Sequence, residues 1–391
     1  MKTLNVSSLQ KLISFVLIAV LLICTVGFAA DGWQSPDDEP DSGKVDNTTG
    51  DADENKDGNS PPPSEPTDPP EEEPPADDEP ETPPPTEEPP VEPPKQVYIN
   101  GITGLEITAE QSTQTPLGFV LDPESPLYGV SSADLTLEFP IEDGSTRILS
   151  YTTNYSMLWK VGTLAPTRAF ISGSSNFFGG VVVSYGNDDI VRYSAWDTSK
   201  IDLDISEITD CYYVENTLYV YTSKDLVDIA SKSAPHLSET PYKTPPFLIN
   251  ETDTDVIGTT EATSVTIPYS NKNETELYYS ETSGQYLYFK SGSRKVDMLN
   301  GKNVAFTNVF VLFANATTYE KADGTELVID TLSGGTGYYI SKGYLTEMRW
   351  SIDESGNLKF KTLSGEQLTV NAGSSYISYY KASNASKVKA V

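Results

Sequence analysis

Arginine presents a planar fork of donors suited to carboxylate or phosphate oxygens. Arg147 and Arg168 are the residues here whose setting invites that chemistry, one of them just after the acidic stretch Glu138 to Asp143. Two readings stay open. In one, both guanidiniums face a shared cleft and bind an anionic group, with Glu138, Tyr221 and Thr222 lining it. In the other they are structural, paired with Glu138 or Glu142 at a strand end, and Tyr221-Thr222 is a strand end that caps the next helix.

Other chemistries find little footing. A Ser/His/Asp triad has only His236 to use, in a proline-rich stretch, and no Gly-x-Ser-x-Gly turn seats a nucleophile. Cys211 lies between Asp210 and Tyr212 with no basic neighbour to lower its pKa, so it reads as a buried structural thiol. With Cys24 inside a hydrophobic run, no internal disulfide is expected, and one histidine with one domain cysteine makes no zinc cluster. Gly334-Gly335-Thr336-Gly337 lacks the final spaced glycine of a dinucleotide fingerprint and reads as a turn leading into a strand. Asp53 to Gly58 fits the first half of a calcium loop, but Ser64 stands where the bidentate glutamate belongs and Pro61 to Pro63 intervene. Paired carboxylates for glycan hydrolysis stay open, because their separation is a property of the fold. No catalytic residue, cofactor or metal is assigned.

The elements that would hold these residues follow from composition. Lys2 and Lys11 precede an apolar run from Ile13 to Ala30, the charge order of an export signal, with small residues in Gly27-Phe28-Ala29 for cleavage. An uncleaved anchor is the alternative. Lipidation at Cys24 is disfavoured by the bulky Ile23 before it. Residues 31–95 are acidic and proline-rich and hold about −20 of the formal charge of −31. With no apolar surface to offset ordering entropy, they read as an unfolded, extended tether. The remainder is moderately acidic with no basic stripe, which argues against nucleic acid. From Val97 onward five Asn-x-Ser/Thr triplets, beginning at Asn154, Asn250, Asn273, Asn315 and Asn384, read as glycosylation points or chance.

From Val97 onward, alternation and turn residues predict strands. Leu277 to Tyr279 and Tyr286 to Phe289 flank Thr282-Ser283-Gly284 as a hairpin. Gly337 to Tyr380 reads as an antiparallel meander turning at Lys342-Gly343, Ser355-Gly356-Asn357 and Gly365-Glu366. A short helix is expected after Thr222 or Ser223, carrying Leu226, Val227, Ile229 and Ala230, and Pro235 to Asn250 reads as a link.

Tyr128 to Tyr151, with Ala133, Asp134, Glu138 and Glu142 to Arg147, resembles the YerB-like family of bacterial envelope lipoproteins. The likeness continues in order through Val181 to Gly186, Tyr221-Thr222-Ser223, Pro245-Pro246-Phe247, Ile267 to Ser270 and Gly335 to Tyr339 with Glu347 and Trp350. A family Gly-Pro-Val-Arg-Ser-Ala-Arg string is matched by Gly162 to Arg168, which keeps only the second arginine. A Pro-His-Asn-Leu-Tyr-Thr-Ser string falls on Thr217 to Ser223 without its His or Asn. The resemblance implies an extracytoplasmic protein of two segments and no settled activity.

The resulting expectation is an α+β, predominantly β protein: two β-rich segments with few helices, the second an antiparallel meander, after a disordered tether. The divisions are 1–30, signal or anchor; 31–95, tether; 96–245, first segment; 246–391, second segment. The expected role is a non-catalytic envelope protein, secreted or anchored through its N-terminal segment, that binds a cell-wall or protein partner. A carboxylate-dependent cell-wall hydrolase is the alternative.

Overall fold

A strand buried on both faces reads as a continuous apolar run, whereas a half-buried one alternates. Asn308–Ala314, NVFVLFA, is buried at every position, and so is Leu135–Pro140. These strands lie inside the central sheet of a computed structural model that describes residues 96–391 apart from 115, 155–157, 185–201, 205–210, 215–216, 222–243, 251, 253 and 322–323. The segment read as an export signal, the whole of the stretch read as a tether (31–95, with Asp53 to Gly58), Thr222, the helix expected after it and His236 lie outside the described residues, as does the expected link up to residue 243.

The strands used below are β1 (Leu117–Leu121), β2 (Leu135–Pro140), β3 (Thr146–Thr152), β4 (Val181–Ser184), β5 (Ser264–Pro268), β6 (Glu274–Ser280), β7 (Gln285–Lys290), β8 (Asn308–Ala314), β9 (Gly335–Ser341), β10 (Tyr344–Ile352), β11 (Leu358–Thr362) and β12 (Ser375–Lys381). Among the described residues an 11-stranded sheet runs from Thr260–Glu261 through β10, β9, β8, β12, β2, β3, β1 and β4 to Asp202–Asp204, with β11 beside β10. A six-stranded sheet contains β5, β6 and β7 in hairpin order, with Lys389–Ala390 on β5 and Ser293–Arg294 and Ala305–Phe306 on β7.

Alternation along the central strands sends side chains to two cores. Leu117, Phe119, Ile148, Val309, Val311, Tyr376 and Tyr380 pack against Val265, Ile267, Leu277, Tyr286 and Tyr288 of the second sheet. On the opposite face Leu135, Leu137, Phe139, Leu149, Phe310, Ile377 and Tyr379 meet Phe170 and Ile171 of the short helix Ala169–Gly173, with Phe247 and Phe360. The described part is thus predominantly β, as expected, with a helix layer on one side of the central sheet and a second sheet on the other.

One finer expectation changes. The β9–β10–β11 meander forms, turning at Lys342-Gly343 and again between Ile352 and Leu358. β12 does not continue it: Ser375–Lys381 inserts parallel to β8 on one side and to β2 on the other. Its residues are buried on both faces except the last, so an edge position would expose them, and the interior of the sheet is where they fit. Residues 96–245 and 246–391 contribute to the same sheet through the β12–β2 ladder, and all described residues fall in one compact unit, Pro89–Val391.

Candidate functional site

The β2–β3 hairpin carries the polar residues singled out in the sequence. Its turn is closed by Ile141 N donating to Ser145 O at 3.0 Å. Asp143 Oδ1 accepts from Ser145 N and Oγ at 2.8 and 2.6 Å. Burial raises the Asp143 pKa, and these Ser145 hydrogen bonds with the nearby arginine charges outweigh it, leaving a net depression.

Arg147 lies opposite Phe139 in the β2–β3 ladder, so it projects to the helix side of the central sheet. Arg168 precedes the helix Ala169–Gly173 on that same side. Arg168 is 5% exposed, and its guanidinium donates from both Nε and Nη2 to the Glu142 carboxylate while Nη1 reaches Thr167 O at 2.9 Å. This is a bidentate fork. Burial alone would raise Glu142, but the Arg168 hydrogen bonds hold it below the usual carboxylate range.

Arg147 is in a different condition. Its Nη1 donates to Thr146 O at 2.9 Å, while its buried Nε has no acceptor. Burial lowers its pKa; the charge of Asp122 opposes this, and the neighbouring positive charge of Arg168 adds to it. Asp122 is placed there by the β1–β3 register, which pairs Leu121 with Ile148.

Glu138 points the other way, between the two sheets, with no exposure. Its Oε1 accepts from Lys290 Nζ and Thr146 Oγ1, each at 2.6 Å, and its Oε2 from Tyr376 at 2.6 Å and Tyr288 at 3.1 Å. Thr275 Oγ1 lies within 3.0 Å of both oxygens. Burial pushes the Glu138 pKa up, and the Lys290 charge together with these hydrogen bonds overcomes it, so the net shift is downward. Burial and the Glu138 charge raise the phenols of Tyr288 and Tyr376 well above their usual value, which keeps them neutral donors. Glu138 is thus held in the core and separated by the sheet from the two arginines. Its partner Lys290 was missed in the sequence, although Tyr286, Tyr288 and Lys290 share one strand register.

Tyr221 ends the strand Thr217–Tyr221, where it pairs with Lys160, and Cys211 begins the adjacent strand Cys211–Val214. Among the described residues no group of three or more His, Cys, Asp or Glu side chains is placed to hold a metal ion.

Residues 265–377, from β5 into β12, match the C-terminal domain of DUF3048, a protein family of unknown function. The crystal structure of the YerB protein from Bacillus subtilis is similar, with a TM-score of 0.59 and 22% sequence identity over 72% of this chain and 96% of that one. At that identity the likeness shows a shared fold. Together the two findings support the YerB-like, DUF3048 resemblance of the described region, and neither carries an activity. No curated protein matches the chain.

Proposed function

We propose that this chain is an exported, surface-held, non-catalytic envelope protein whose Arg147 locus binds an anionic group of a cell-wall or protein partner. One observation carries the reading: Arg147 keeps a buried Nε without an acceptor, while neighbouring Arg168 is already held by Glu142. A buried donor left unmade costs about 1–3 kcal/mol, and an anionic ligand would recover it. In this reading Arg168 positions the locus and Arg147 makes the contact. Glu138, facing the other side, sets the strand that carries them.

The test is binding of envelope fractions to the full-length protein and to R147K. Lysine keeps the charge and loses the fork, so a recognition role predicts weakening by about 1–3 kcal/mol, roughly 5- to 150-fold. Equal capture by both proteins would remove Arg147 from the site, and capture no greater than by residues 31–95 alone would remove the function. The surface-held part has its own check: the composition of 31–94 predicts ready cleavage by a broad protease, and resistance there would contradict an extended tether.

A further inference from the structure

At the end of β2 away from Arg147, a groove of about 560 Å³ opens between the loops leading into β2 and β12 and the outer face of the second sheet. Leu287 and Ala305 are cross-strand partners and share that outer face, since Tyr286 and Tyr288 of the same strand are buried inward. They form an aliphatic floor. The facing wall is Ser132 to Asp134 and Ala372 to Ser374.

This wall is fixed before any ligand arrives. Gly373 N donates to Thr103 O at 2.8 Å, and Ser374 O accepts from Thr307 N and Asn308 N. Asp134 Oδ2 accepts from Thr153 N and Oγ1, and Ser131 Oγ donates to the buried Asp297 carboxylate at 2.7 Å. Gly373, with φ +140°, is required there, because a Cβ would fall 2.2 Å from Thr307 Oγ1. By contrast, among the described residues no hydrogen bond engages the side-chain amides of Gln285 and Asn303, which line the same groove.

We propose that this groove binds a short neutral oligosaccharide. Half of its lining is hydroxyl and amide side chains, most of the rest is small or aliphatic, and Lys302 and the already engaged Asp134 are its charged members. One lysine in a chain of net charge −31 gives a polyanion little to bind. A wholly apolar ligand would strand the two amides unpaired. A sugar satisfies both requirements: each hydroxyl donates and accepts, as each carboxamide does, and its C–H face suits a Leu287–Ala305 floor. The volume lies within the roughly 300–1,000 Å³ of ordinary small-ligand sites. The inference is independent of the arginine reading, and its experiment uses no envelope material.

Calorimetric titration of the full-length protein with chitotriose, cellotriose and maltotriose tests it, with inorganic phosphate and N-acetylated trialanine amide as competing chemistries. The expected result is saturable binding of at least one trisaccharide, weakened tenfold or more in the Q285A/N303A double variant and lost when A305W fills the floor. The melting curve of Q285A/N303A should stay that of the parent, since both side chains are on the surface of the groove. Failure of all three sugars to saturate, preferential binding of the peptide or phosphate, or unchanged sugar affinity in Q285A/N303A would overturn the proposal.

Discussion

Glu138 and Lys290 show what one buried pair does to the surrounding fold. Both side chains have no exposure, and each comes from a different sheet, so the pair joins the two layers where apolar packing would otherwise suffice. Removing one partner leaves an uncompensated buried charge, whereas replacing both with apolar groups of similar volume is often neutral or stabilising. E138A and K290A alone are therefore expected to cost about 3–5 kcal/mol each in urea unfolding, and E138L/K290M far less than their sum. Additive losses in that cycle would deny the coupling. The same pair sets a pH dependence. Because the folded Glu138 pKa is depressed, its stabilisation is fully present above the unfolded glutamate value of about 4.3 and is lost as pH falls through the lower folded value. Stability measured from pH 7 downward should fall more steeply below about pH 4 in the parent than in E138L/K290M. Equal slopes would mean that Glu138 is not the group responsible.

At the scale of elements, β9 depends on the smallness of its first residues. A Cβ at Gly335 would come 2.3 Å from Phe313 O, and one at Gly337 2.5 Å from Val311 O, both on the neighbouring β8 backbone. The Gly334 to Gly337 string thus serves the approach of two strands, in keeping with its reading as a turn into a strand. G337A is expected to destabilise by about 1–3 kcal/mol through overpacking, visible as a lowered melting temperature without change in the far-ultraviolet spectrum. A G337A protein as stable as the parent would show that β8 and β9 can separate at no cost. The β6–β7 hairpin was legible because Thr282-Ser283-Gly284 interrupts two alternating runs. The place of β12 was not. A turn at Gly365-Glu366 suggested another reversal, and only the burial of Tyr376 and Tyr380 on one face with Ile377 and Tyr379 on the other makes it an interior strand.

For the whole molecule, the consequence of β12 is that the two segments depend on each other. Residues 96–245 alone would present β2 with its β12 side open, and 246–391 alone would present β12 with its β2 side open, each a buried ladder turned into an apolar edge. Expressed separately, each fragment is expected to aggregate or to lack cooperative unfolding, while co-expression restores a soluble complex. A fragment that unfolds cooperatively alone, at the parent's temperature, would contradict the shared sheet as the unit of stability.

Local pattern and composition were enough to determine the predominance of strands, the hairpin, the first turns of the meander and the pairing options open to Arg168, because each depends on residues close in the chain or on a residue's own chemistry. The tertiary structure decided what those options became. Arg168 chose Glu142, Glu138 took Lys290 from 152 residues away, and Arg147 was left with an unpaired donor. Sequence spacing does not encode which strand lies beside which when the connection is long, and a parallel neighbour such as β12 always requires a long connection. The groove at Gln285 and Asn303 has the same origin, since its loop wall and its strand floor come from different sheets and from distant parts of the chain.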